Sequence, residues 1–216
     1  MAEVAQLAEH LVVAQVAVGS SPIFRPRHFN PPQGGFFVME KTVKPVFLTG
    51  YRGSGKSTIG RILSQRIPAA FCDLDQYLCS KANKTVAEIV EKDGWGAFRR
   101  LESEVLAEVC QTYGPQTVFA TGGGVVLSPA NRQHLLNNGT VIWLNVPAEI
   151  LYARLSRKPD LALRPGFTNA SPLEEITTIL AQREPLYAAS CHHQVEASGN
   201  PEAVCTSILK VLGRDQ

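Results

Sequence analysis

From about Val43 onward, short apolar runs alternate with stretches in which apolar residues return every three or four positions. The runs at 45–49, 69–72, 117–120, 141–145 and 194–196 predict strands. The periodic stretches predict helices near 56–66, 75–82, 85–92, 95–112, 129–137, 148–156, 172–189 and 200–212. Local signals fix several of the starts. Thr85-Val86-Ala87-Glu88 has the spacing of a capping box, and Pro129 and Pro172 each follow a serine that can cap. Strands alternating with helices predict an α/β domain with a parallel sheet. No internal repeat and no second domain is visible.

Two segments break the rhythm. Residues 156–171 are polar and rich in Arg, Lys, Pro and Gly, with no period, as expected of a mobile functional loop within a compact domain. The first 38 residues also stand apart. Residues 11–18 are largely apolar, but Glu3 and Glu9 precede them and no Lys or Arg occurs before Arg25, which fits neither a secretory nor an organelle-targeting leader. Two readings of this extension stay open. One is a flexible tail. The other is a misread tRNA gene: Gly19-Ser20-Ser21-Pro22 back-translates to the T-arm sequence GGTTCGAGTCC, and Met1 to Leu7 to an acceptor stem entering a D arm. Translation would then begin at Met39.

Composition narrows the class. A chain of 216 residues, 44% hydrophobic and 19% charged, can bury an ordinary core. A net charge of +2 gives no argument for nucleic acid or a membrane surface as partner. Five cysteines without a C-x-x-C pair predict reduced thiols and a cytoplasmic protein.

The chemistry begins at residues 50–57, Gly-Tyr-Arg-Gly-Ser-Gly-Lys-Ser, which fit G-x-x-x-x-G-K-[ST] between a predicted strand and a predicted helix. Glycines let successive N–H groups face phosphate oxygens, and the helix adds its positive end. Lys56 can reach the β- and γ-phosphates, and Ser57 is placed for Mg²⁺. Asp73-Leu74-Asp75 closes the second strand. If the strand continues through them, alternation puts both carboxylates on one face at the ligand crevice; otherwise they cap the next helix. Arg99 and Glu102 share a helix face, as a surface pair or as a pocket arginine with its partner, and Arg100 reads as a solvated neighbour. Gly122-Gly123-Gly124 offers bare backbone to a ligand, or a flexible turn. Arg157, Lys158 and Arg164 would make a basic loop over a triphosphate, or a solvated charge run. Arg183 ends a long helix, as a dipole partner or as an anion clamp. His192 and His193 read as incidental, His134 as a surface residue, and Cys72 as a small buried apolar one.

Taken in order, the phosphate loop, Asp73-x-Asp75, Phe98-Arg99-Arg100-x-Glu102, the three glycines, Arg164-Pro165 and Arg183-x-Pro185-Leu186-Tyr187 resemble the shikimate kinases over about residues 43–212. The resemblance implies a three-layer P-loop kinase fold of the nucleoside-monophosphate-kinase type, with a five-stranded parallel sheet flanked by helices and a lid at about 156–171. It implies ATP on Gly53, Ser54, Gly55, Lys56, Ser57 and Thr58, Mg²⁺ on Ser57 and through water on Asp73, and Arg154 near adenine. Asp75 becomes the base, with Arg99, Arg183 and the turn Gly122, Gly123, Gly124 holding shikimate, and Arg164 reaching over the phosphates. The implied reaction is ATP-dependent phosphorylation of the 3-hydroxyl of shikimate, on the route to chorismate and the aromatic amino acids, by a monomer.

Two positions depart from the pattern: Arg164-Pro165-Gly166-Phe167 lacks the leucines common in the lid, and Ser198-Gly199-Asn200-Pro201 lacks an arginine that some relatives place beside adenine. Two rivals stay open on physical grounds. Gluconate is also a compact carboxylated polyol, so a gluconate-type kinase would want similar charges. A catalytically silent nucleotide-binding relative is expected to lose Asp75, Arg99 or Arg183, and this chain keeps all three.

Overall fold

The structure, a computed structural model, describes residues 44–157 and 171–214. The extension at 1–38 and residues 158–170 of the expected lid, with Lys158 and Arg164, lie outside the described residues.

Five parallel strands form one sheet: β1 (Val46–Thr49), β2 (Ala70–Asp73), β3 (Thr117–Ala120), β4 (Thr140–Asn145) and β5 (His193–Glu196), in the order β2-β3-β1-β4-β5. Each lies within a residue or so of its predicted run. In this order β1 is central, with Leu48 opposite Ala120 of β3 on one side and Ile142 of β4 on the other. The loop that leaves its carboxyl end therefore opens at the middle of the sheet, where ligands of such sheets bind. His192, read as incidental from the sequence, extends the β4–β5 junction: its Nδ1 accepts the Val141 N–H at 3.0 Å and its own N–H reaches Val141 O at 2.8 Å. His134, expected on a helix surface, is half-buried.

Strand alternation makes two cores, one on each face of the sheet. Val46, Leu48, Val118, Ile142 and Leu144 face one side, and Phe47, Cys72, Phe119, Val141 and Trp143 the other. The first face is covered by α1 (Lys56–Arg66), α5 (Ala148–Ser156), most of α6 (Pro172–Ala189) and α7 (Pro201–Val211). The second is covered by α2 (Leu74–Ala82), α3 (Val86–Thr112) and α4 (Pro129–Asn138). The predicted caps form. Thr85 and Ser171 make reciprocal boxes with Glu88 and Glu174, and Ser128 caps α4 ahead of Pro129. The two helices expected at 85–92 and 95–112 run as α3 with a break at Gly94, whose φ of 77° and ψ of 168° suit glycine alone. That break turns Trp95 and Phe98 into the core directly beneath Arg99. Among the described residues no helix is long and apolar enough to cross a membrane.

Candidate active site

The phosphate loop joins β1 to α1, and Gly55 (φ 99°) caps that helix. Lys56 is buried, and its Nζ donates to the Gly50 and Tyr51 carbonyls at 2.7 and 2.9 Å. Burial lowers the ammonium to about 8, while Asp75 and Asp73 pull it upward. Ser57, one residue on, donates its hydroxyl to Asp73 Oδ2 at 2.5 Å.

Asp73 ends β2 and is the N-cap of α2, its Oδ1 accepting the Gln76 N–H at 3.3 Å. The strand thus stops at Asp73, and Asp75 stands in the first turn of α2. The strand-alternation argument for this pair does not hold. One acid caps, and the helical turn carries the other toward the glycine turn. A Cβ placed on Gly122 would meet Asp75 Oδ1 at 2.7 Å and Glu102 Oε1 at 2.6 Å. Glycine is required there because two carboxylates occupy the space of a side chain. Burial raises the Asp75 carboxyl to about 7, and the charges of Glu102 and Asp73 add to the rise against Lys56 and Arg99.

Arg99 and Glu102 form an ion pair, Nη1 to Oε2, at 2.7 Å. Glu102 is only 3% exposed, so this is no solvated surface pair. The Arg99 guanidinium rests over Phe98 and Trp95, at 5.1 and 5.4 Å from the ring centroids, and fills the space a Gly124 Cβ would need. Arg100 is exposed, as expected. Arg183 is 8% exposed, too buried for a solvated helix-end charge. Its Nη1 donates to Gly123 O at 3.3 Å and its guanidinium stands 5.9 Å from the Tyr51 ring. Asp75, Arg99 and Arg183, widely separated along the chain, therefore converge on one glycine turn. That turn abuts the phosphate loop: a Gly123 Cβ would meet Arg52 N at 3.1 Å.

Arg154, expected near adenine, lies between the phosphate loop and the loop after β5. Its Nη1 donates to Gly53 O and Ser54 O, both at 3.3 Å, and its Nη2 to Ala197 O and Ser198 O at 2.8 and 3.0 Å. It ties the phosphate loop to the loop after β5, supplying from α5 a clasp on the Ser198-Gly199-Asn200 segment. Thr58 is exposed on α1. Glu102 was read from the sequence only as a possible partner of Arg99. Its i,i+3 spacing to Arg99 was visible, but the burial that makes it part of the pocket was not.

A triphosphate loop at the centre of a parallel sheet, with a carboxylate and two buried arginines facing a bare turn beside it, defines a phosphate-loop kinase of small molecules. Comparison with known proteins agrees and narrows the class. The shikimate kinase family model matches residues 52–213. "Shikimate kinase 2" of Syntrophotalea carbinolica is 45% identical over 167 residues, covering 77% of this chain and 95% of that protein. The protein of the same name from an Enterobacter species is 43% identical over 169 residues, 78% of this chain and 95% of the relative. The solved structure of a shikimate kinase from Acinetobacter baumannii in complex with shikimate superposes with a TM-score of 0.72 at 30% identity, covering 82% of this chain and 96% of that one. The chain belongs to the shikimate kinase family.

Proposed function

We propose that this pocket phosphorylates the 3-hydroxyl of shikimate from ATP, with shikimate held between Asp75, Arg99 and Arg183. The single observation that carries the residue assignment is their meeting at Gly122–Gly124 within reach of the phosphate loop. Arg183 is buried and Arg99 rests on two aromatic rings, so each presents an ordered planar fork suited to a carboxylate. Asp75, raised toward neutrality, is matched to taking a hydroxyl proton near physiological pH. In the step, the substrate oxygen loses its proton to Asp75 and forms the bond to the γ-phosphorus. The bond from that phosphorus to the bridging oxygen breaks, and ADP leaves. Lys56 neutralises charge on the transferred group, and we assign Arg164 the same task from the lid.

The site fits Mg²⁺. Ser57 Oγ and Asp73 Oδ2 are paired oxygen donors beside the loop. Among the described residues no group of three or more carboxylate, imidazole or thiol side chains would hold a metal unaided. Mg²⁺ keeps several waters and takes most of its ligands from phosphates, so two protein oxygens beside the loop are enough to seat it. When bound, Mg²⁺ supplies charge stabilisation for the phosphates; Ser57 would hold it directly and Asp73 through water. We read the protein as a monomer, as the family resemblance implies, working in the cytoplasm.

An ADP-release assay with shikimate, with gluconate and without acceptor tests this. Release dependent on shikimate alone is expected. Equal release with gluconate would favour the rival acceptor, and release with neither would return the site to an unassigned nucleotide-binding pocket.

A further inference from the structure

Tyr187 is fully buried, and its ring stacks on Trp143 of β4 with centroids 5.8 Å apart and planes at 21°. Its one polar atom leaves this apolar setting at a single point: the hydroxyl donates to Gly123 O at 2.5 Å, across 64 residues of sequence. Arg183, one turn earlier on α6, sends Nη1 to the same oxygen at 3.3 Å. A carbonyl oxygen has two lone pairs, and here both are taken from one helix.

The position of α6 explains why that contact matters. Ile176, Ile179 and Leu180 belong to the core on one face of the sheet, while Tyr187 belongs to the core on the other. The helix passes from one core to the other alongside the glycine turn, and Arg183 and Tyr187 mark the passage. The turn has no side chains of its own to hold it. Because the peptide unit is planar and trans, fixing Gly123 O also fixes the opposite direction for the Gly124 N–H. Gly124 is the residue against which the Arg99 guanidinium lies. One shared oxygen therefore sets Arg183, the glycine turn and the ground beneath Arg99 relative to one another.

We propose that Tyr187 is a positioning residue for the substrate clamp: its hydroxyl holds the Gly123 carbonyl so that Arg183 and the Gly122–Gly124 turn keep the spacing that the acceptor's carboxylate and hydroxyls require. The proposal rests on the reading of this pocket as the shikimate site. Without the hydroxyl, Gly123 O keeps only the longer contact to Arg183, and the two sides of the clamp are free to drift.

Tyr187→Phe keeps the ring and the stack on Trp143 and removes only the hydroxyl; Trp143→Phe alters the stack and leaves the hydroxyl. In steady-state assays, Tyr187→Phe should raise KM for shikimate about tenfold, with KM for ATP and kcat each within about twofold of the parent. Trp143→Phe should lower the melting temperature and leave KM for shikimate unchanged. A role confined to packing gives the reverse: both variants lose stability, and neither moves KM for shikimate. That outcome, or a Tyr187→Phe protein that does not fold, overturns the proposal. The parent protein separates the two claims. If it fails to turn over shikimate, the pocket reading has failed; if it does so and Tyr187→Phe keeps the parental KM, only the positioning role has.

Discussion

Asp75 and Glu102 each bring a carboxylate oxygen to within 2.7 Å of one point, the place a Cβ on Gly122 would occupy. Burial raises the Asp75 carboxyl and the charge of Glu102 adds to the rise, while Arg99, which pairs with Glu102 at 2.7 Å, acts against it. Asp75 with a carboxyl raised to about 7 is a base only when deprotonated. Shikimate turnover, measured as kcat/KM, should therefore fall about tenfold per pH unit below 7, with no comparable limb for a reaction in which Asp75 takes no part.

The same shift predicts a trade between activity and stability. The folded carboxyl titrates above its ordinary value of 3.8, so the fold favours the protonated form. That contribution is complete below about pH 4 and is lost as pH rises through about 7. Asp75→Asn should leave stability unchanged at pH 4, raise it by roughly 4 kcal/mol at pH 8, and reduce kcat at least a hundredfold. Thermal melts at the two pH values, beside the rate, check both halves.

Side chains cannot be added to the glycine turn. Gly122→Ala would push a methyl into two carboxylates, and Gly124→Ala would push one into the Arg99 guanidinium. Each should cut kcat/KM for shikimate by a factor of a hundred or more while circular dichroism reports an intact fold, since the turn lies outside the strands.

Arg154 joins two loops through four carbonyl contacts. Arg154→Ala should raise KM for ATP severalfold, leave KM for shikimate near the parental value, and lower stability by about 1–2 kcal/mol. Lys56→Met, in contrast, should abolish turnover and keep the fold, because the Lys56 contacts stay within its own loop.

Much of this was legible in the chain. The phosphate loop declares itself through its spacing and its strand–helix setting, and the strand and helix limits followed from period and caps. Reading failed where meaning depends on distance in sequence. Strand alternation misjudged how Asp73 and Asp75 are presented, because the strand ends at Asp73 and a helix takes over. Arg183 looked equally like a helix-end charge until burial excluded that role. Glu102 and Tyr187 stood in the motifs, but their placement did not show there: Glu102 meets the Asp75 carboxylate at the turn, and Tyr187 a carbonyl 64 residues away. The four backbone contacts of Arg154 were not legible either, because they join two loops that no motif connects.

The central claim is that Asp75, Arg99 and Arg183 together form the acceptor cradle, and calorimetric titration of shikimate into the parent protein and into Asp75→Asn, Arg99→Ala and Arg183→Ala tests it most directly. Each substitution should weaken shikimate at least tenfold while nucleotide affinity stays within about threefold of the parent. Parental affinity for shikimate in all three variants would contradict it.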